Sequence, residues 1–184
     1  PDYSQSPLHY DLKKQNTSGA ISYYVFEPSN TKSIKVYTQI DITVSKNAYK
    51  KVLEKISAIG FIMGGEETEK GSPYVVVFGW IDDSNIDRLM WISGIEKISL
   101  SNRNIKAPLT ELVLTVRVPN NRDIVEFINA FSKKLGEYGF EKEEVNIVVS
   151  DKKYRFTFIK LRGKIPIDRI KTVIKSPFVI RVES

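Results

Sequence analysis

Two short patterns each occur twice in this chain. Ile59-Gly60-Phe61 is echoed by Tyr138-Gly139-Phe140, and Ile86-Asp87-Arg88 by Ile167-Asp168-Arg169, 81 positions later. A spacing near 80 residues is too long for a solenoid repeat and fits duplication of a small domain. The surrounding patterns agree. Lys35–Val44 alternates and is rich in β-branched residues, which predicts a strand. Ser45 stands at an N-cap position, and Tyr49, Val52, Ile56 and Ile59 then recur at helical spacing until Gly60. The stretch beginning at Phe61 reads as a short strand followed by a flexible acidic loop. Tyr74–Ile81 reads as a buried strand. Asp83 or Ser84 caps a short helix carrying Ile86, Leu89 and Met90, Gly94 ends it, and Ile95–Leu100 is a strand.

The second half repeats this order. Glu111–Val118 is a strand with Leu112, Leu114 and Val116 on one face. Asn121 is placed to cap a helix with Ile124, Ile128, Phe131, Leu135 and Tyr138 along one stripe, and Gly139 stops it. Two strands follow, then a short helix opened by Pro166 and a closing strand at Phe178–Glu183. In both Ile-Asp-Arg segments the isoleucine and the aliphatic residue three positions on are expected to anchor the helix. The aspartate sits in the first turn, where it suits the helix dipole, and the arginine faces solvent.

The order β-α-β-β-α-β resembles the ferredoxin-like fold. The resemblance is one of element order across residues 35–184, and it implies an α+β chain of two tandem ferredoxin-like repeats. Each repeat would be an antiparallel sheet covered by two helices on one face. The expected organisation is a polar N-terminal tail or linker at 1–34, repeat one at 35–100, a linker at 101–109 and repeat two at 110–184. Within the tail only Ile21–Phe26 carries a strand pattern. Heavy-metal-binding domains of this fold place Cys-x-x-Cys in the first loop. The corresponding loops here, Val44–Ala48 and Val118–Asp123, have no cysteine, so copper transfer is excluded. Regulatory ACT domains are similar in order but carry a glycine in the first strand–helix turn, and neither loop has one.

The residue inventory argues against most catalytic chemistry. There is no cysteine in the chain, hence no thiol nucleophile, disulfide or thiolate metal site. His9, in the tail, is the only histidine, which removes serine-type triads and histidine metal sites. Gly64–Ser72 superficially suggests a phosphate loop, but Lys70 precedes Gly71 and no helix pattern follows. Glu66, Glu67 and Glu69 lack EF-hand spacing and read as a solvated acidic loop. Asp82 and Asp83 read as helix caps. No enzyme activity, cofactor or metal is expected.

Charge is uneven. The chain carries a formal +6, and residues 109–184 hold 15 basic against 10 acidic side chains. The densest stretch is Lys152–Lys164, where Lys152, Lys153, Arg155, Arg162 and Lys164 are candidate contacts for a nucleic acid or another anion. It falls on the third strand of its repeat, where RNA-recognition motifs carry basic and aromatic residues, but their glycines are absent. Tyr154, Phe156 and Phe158 share a strand face and are expected in the core. Trp80 is likewise assigned to the core. Trp91 lies off the Ile86–Leu89–Met90 stripe and is expected to pack between repeats or serve as an exposed interface anchor.

The resulting expectation is a non-catalytic module for protein binding or self-association. The alternatives are a nucleic-acid-binding domain using the second repeat and a regulatory pair of small-ligand domains. No apolar run approaches the roughly 18 residues of a membrane span. The chain starts at Pro1 without an initiator methionine. It is expected to be a fragment or processed part of a larger protein, exported or membrane-tethered rather than cytoplasmic. Asn16-Thr17-Ser18 matches the N-glycosylation pattern.

Overall fold

The structure, a computed structural model, describes residues 10–16, 22–28, 34–119, 121–151 and 156–184. The chain divides into two compact units. One is residues 35–108, and the other is residues 109–184 with the N-terminal segment.

The first unit runs β3 (Tyr37–Ser45), α1 (Tyr49–Ala58), β4 (Ile62–Thr68), β5 (Tyr74–Asp82), α2 (Ile86–Leu89) and β6 (Ile95–Leu100). Its sheet order is β4-β5-β3-β6, and every neighbouring pair is antiparallel. The second unit runs β7 (Leu109–Pro119), α3 (Ile124–Glu137), β8 (Glu141–Asp151), β9 (Phe156–Pro166), α4 (Ile170–Ile174) and β10 (Val179–Glu183), in sheet order β10-β7-β9-β8. Each is a ferredoxin-like βαββαβ repeat with its helices on one face. Strands β1 (Tyr10–Asn16) and β2 (Ser22–Pro28) form a separate antiparallel pair, and β1 touches β10. Only β2 lies where the sequence carries a strand pattern.

Alternation places the cores. In repeat one Ile40, Ile42 and Val44 of β3 and Val75, Val77 and Ile81 of β5 are buried beneath Val52 and Ile56 of α1 and Leu89 of α2. In repeat two Leu112, Leu114 and Val116 meet Ile159 and Leu161 under Phe127, Phe131 and Leu135 of α3 and Ile170 and Val173 of α4. Phe127 and Phe131 stack at 5.6 Å, and Phe178 meets both rings edge-on. Burying such apolar faces supplies most of the folding free energy of units this size.

The glycine landmarks mark one built motif. Gly60 and Gly139 adopt φ of +87° and +84°. The amide of Phe61 donates to the Ile56 carbonyl and that of Phe140 to the Leu135 carbonyl. This closes a Schellman turn at the end of α1 and of α3. It also drops each phenylalanine ring onto a glycine of the third strand. A Cβ on Gly79 would lie 2.9 Å from Phe61 Cζ, and one on Gly163 would lie 2.6 Å from Phe140 Cζ.

The Ile-Asp-Arg match is out of structural register. Ile86-Asp87-Arg88 opens α2, whereas Ile167-Asp168-Arg169 forms the 3-10 turn before α4. The structural counterpart of Ile86 is Ile170. Gly79 and Gly163, Asp82 and Pro166, and Ile95 and Val179 share that offset of 84. The structural repeat is therefore real, while the repeated tripeptide falls on amphipathic helix starts three residues apart.

Four local expectations are corrected. Asp123, not Asn121, caps α3, its side chain accepting from the Glu126 amide at 2.8 Å. Asp82, one of the cap candidates, takes the cap before α2 by accepting from the Ser84 amide, in place of Asp83 or Ser84, and Asp83 accepts from the Thr38 hydroxyl. Ser45 makes no side-chain cap bond. The supposed acidic loop after Phe61 is strand as far as Thr68, because Glu66, Glu67 and Thr68 continue pairing with Val77, Val76 and Val75 beyond a bulge at Met63–Gly65.

Candidate interaction surfaces

The end of α2 presents two large apolar side chains to water. Leu89 is fully buried and fixes the helix to the sheet, but Met90 and Trp91 are 74% and 88% exposed. The amides of Trp91 and Ile92 bond to the Arg88 and Leu89 carbonyls. Gly94, at φ +99°, then turns the chain so close to α1 that a Cβ there would lie 2.5 Å from Ala48 Cβ. The pair is thus carried on a tight turn. Trp91 lies off the stripe that Leu89 anchors, and its ring is exposed. On the same repeat, Leu53, Ile56, Phe61 and Met63 line an open groove of about 410 Å3 between α1 and edge strand β4, with Glu54 and Ser57 at its margin.

Of the basic candidates, Lys152, Lys153 and Arg155 lie outside the described residues. Arg162 and Lys164 are exposed on the helix-free face of the second sheet. Both are set among carboxylates. Lys164 stands opposite Glu111 and Glu141 and lies 3.8 Å from Glu143, and Arg162 stands opposite Glu144. Such cross-strand pairing cancels much of the local field. Phe158 is buried, but on this helix-free face opposite Arg117, not in the helix-covered core expected of it. Strand parity decides this: Thr157 and Ile159 take the core side.

Sequence reasoning missed a third surface. Residues 101–108, read only as a linker, lie across the helix-free face of the first sheet. Side chains alternate along them. Arg103, Ile105 and Ala107 turn inward, and Asn102, Asn104 and Lys106 turn outward. Gln39 holds the start of the segment, its amide donating to Ser101 Oγ at 3.0 Å and to the Arg103 carbonyl at 2.8 Å. The Arg103 guanidinium sits 4.3 Å above the Phe78 ring, with Nη2 at 2.6 Å from Glu67 and Nε at 3.3 Å from Asp41. The Glu67 hydrogen bond is the largest cause holding its pKa above the ordinary arginine value; burial acts against it. A raised pKa contributes stability below the ordinary value and loses it only as pH climbs past the folded one. Arg103 therefore stays charged at any pH in which proteins are handled. Ile105 fills a notch over Gly64 and Trp80: a Cβ on Gly64 would lie 3.0 Å from both Ile105 Cδ1 and Trp80 Cζ3. Trp80 is 2% exposed, so its burial is as expected, but it faces this segment and not the helices.

Among the described residues no group of three or more His, Asp or Glu side chains could hold a metal ion, and no helix is long and apolar enough to cross a membrane. No family model and no curated protein matches the sequence. Solved structures similar to it include a protein of unknown function from Galdieria sulphuraria, at 13% identity and TM-score 0.29, covering 77% of this chain and 88% of that one. Another is described as a "putative glycine cleavage system transcriptional repressor", at 9% identity and TM-score 0.28, covering 78% of this chain and 88% of that one. At these values neither likeness supports a functional assignment.

Proposed function

We propose that this chain is a non-catalytic interaction module that self-associates through Met90 and Trp91. The observation that carries the reading is the exposure of both side chains on a turn that holds them outward. Exposed tryptophan is a typical anchor of protein interfaces. The occupant is a second copy because the same repeat bears an apolar groove of suitable size at Leu53, Ile56, Phe61 and Met63. A two-fold arrangement uses both anchors and both grooves and closes at a dimer.

The magnitudes point to weak association. Two tryptophans bury roughly 300–500 Å2, worth about 8–12 kcal/mol at ~25 cal/mol/Å2. Association costs on the order of 4–15 kcal/mol, so at most about 8 kcal/mol is left and the dimer is no tighter than about micromolar. Tryptophan emission tests the reading. Trp80 is buried throughout, so on dilution the spectrum shifts to the red as Trp91 returns to water. Trp91→Ala shows no concentration dependence. An emission maximum that is constant with concentration in the wild type contradicts the proposal.

A further inference from the structure

We infer that the helix-free face of the first sheet is a recognition groove for an extended peptide with arginine at one position and an aliphatic residue two places on. Residues 101–108 occupy it in cis. This site is separate from Met90–Trp91 and stands or falls without it.

The groove has the parts of a peptide site. Asp41, Glu67 and Phe78 form two carboxylate walls and an aromatic floor for a guanidinium, whose planar fork and weak hydration suit both. Lysine, a compact and strongly hydrated ammonium, matches the site less well. The Gly64–Trp80 notch takes the aliphatic side chain. Arg103 and Ile105 sit at i and i+2, the spacing of one face of an extended chain. Yet the cis segment is an incomplete ligand. The indole N–H of Trp80, buried in the same face, finds no hydrogen-bond partner among the described residues. A donor buried without an acceptor is costly, and a trans peptide that supplies a carbonyl there gains what the cis segment forgoes. The cis segment competes at an effective concentration on the order of millimolar, so a partner gains access by displacing it.

The test is fluorescence anisotropy of a labelled synthetic peptide with the sequence of residues 101–108, titrated against the wild type and Arg103→Ala. Circular dichroism checks the variant's fold, and Arg103→Met, which keeps the aliphatic stem, replaces it if it is unfolded. The peptide is expected to bind the variant at least tenfold more tightly than the wild type. Replacing the peptide's arginine by alanine is expected to weaken binding at least tenfold, and adding Asp41→Asn with Glu67→Gln to abolish it. No binding to either folded variant, or binding indifferent to the peptide's arginine, overturns the inference.

Discussion

Adding one methyl group at Gly79 tests the geometry that defines both repeats. In the Gly79→Ala variant the new Cβ lies 2.0 Å from the Ile62 carbonyl oxygen and 2.9 Å from both the Gly64 amide nitrogen and Phe61 Cζ. Carbon and oxygen in contact sit about 3.3 Å apart, so β4 must move from β5 by about 1.3 Å. That shift overpacks the Phe61 ring, at about 1–3 kcal/mol, and strains or breaks one ladder hydrogen bond, at about 1 kcal/mol. A loss of about 2–4 kcal/mol is expected, against a total stability on the order of 5–15 kcal/mol. Gly163→Ala makes the same clash, 2.2 Å from the Glu141 carbonyl oxygen, and should cost about as much. Gly136→Ala is the control. A Cβ there meets nothing within 4 Å on α3, so it should stabilise by about 0.5–1 kcal/mol. Urea unfolding followed by far-UV circular dichroism reads all three. Both tryptophans lie in the first repeat, so their emission follows Gly79→Ala separately. A loss below about 0.5 kcal/mol in either strand variant would refute the close-approach argument.

Leu89 at the end of α2 and Trp91 just beyond it should behave oppositely. Leu89→Ala empties a fully buried site and should cost about 2–5 kcal/mol, whereas Trp91→Ala should change stability by no more than about 0.5 kcal/mol in urea unfolding of the dilute chain. The glutamates facing Arg162 and Lys164 predict no salt-sensitive binding of single-stranded RNA or DNA between about 50 and 200 mM salt, measured by anisotropy. Steep loss of binding with salt, dependent on Arg162, would restore the nucleic-acid alternative.

The fold was legible because it rests on local signals. Strand alternation, helical stripes ending at Gly60 and Gly139, and the phenylalanine after each glycine all act within a few residues. The pairing of the repeats was legible only in part. Ile-Asp-Arg drew the eye because it is a tripeptide, yet the true counterparts, Gly79 and Gly163, are single glycines whose meaning depends on Phe61 and Phe140 arriving from another element. The position of Trp91 off its helix stripe did signal exposure. The Arg103 groove was not legible. Asp41, Glu67 and Phe78 come from three strands, Glu67 looked like part of an acidic loop, and 101–108 is polar enough to pass for a linker. Only the inward alternation of Arg103, Ile105 and Ala107 hinted at it, and that pattern has no meaning until a sheet lies beneath it. In the basic run at Lys152–Lys164 the sequence shows a row of cations but not the glutamates set opposite Arg162 and Lys164 by β7 and β8.

Sedimentation velocity over a concentration series from about 5 to about 500 µM, run on the wild type and on Trp91→Ala, tests the self-association reading most directly. The account predicts that the wild type moves reversibly from monomer toward dimer across this range while Trp91→Ala remains monomeric. A wild type that stays monomeric throughout, or a dimer that forms equally well without Trp91, contradicts it.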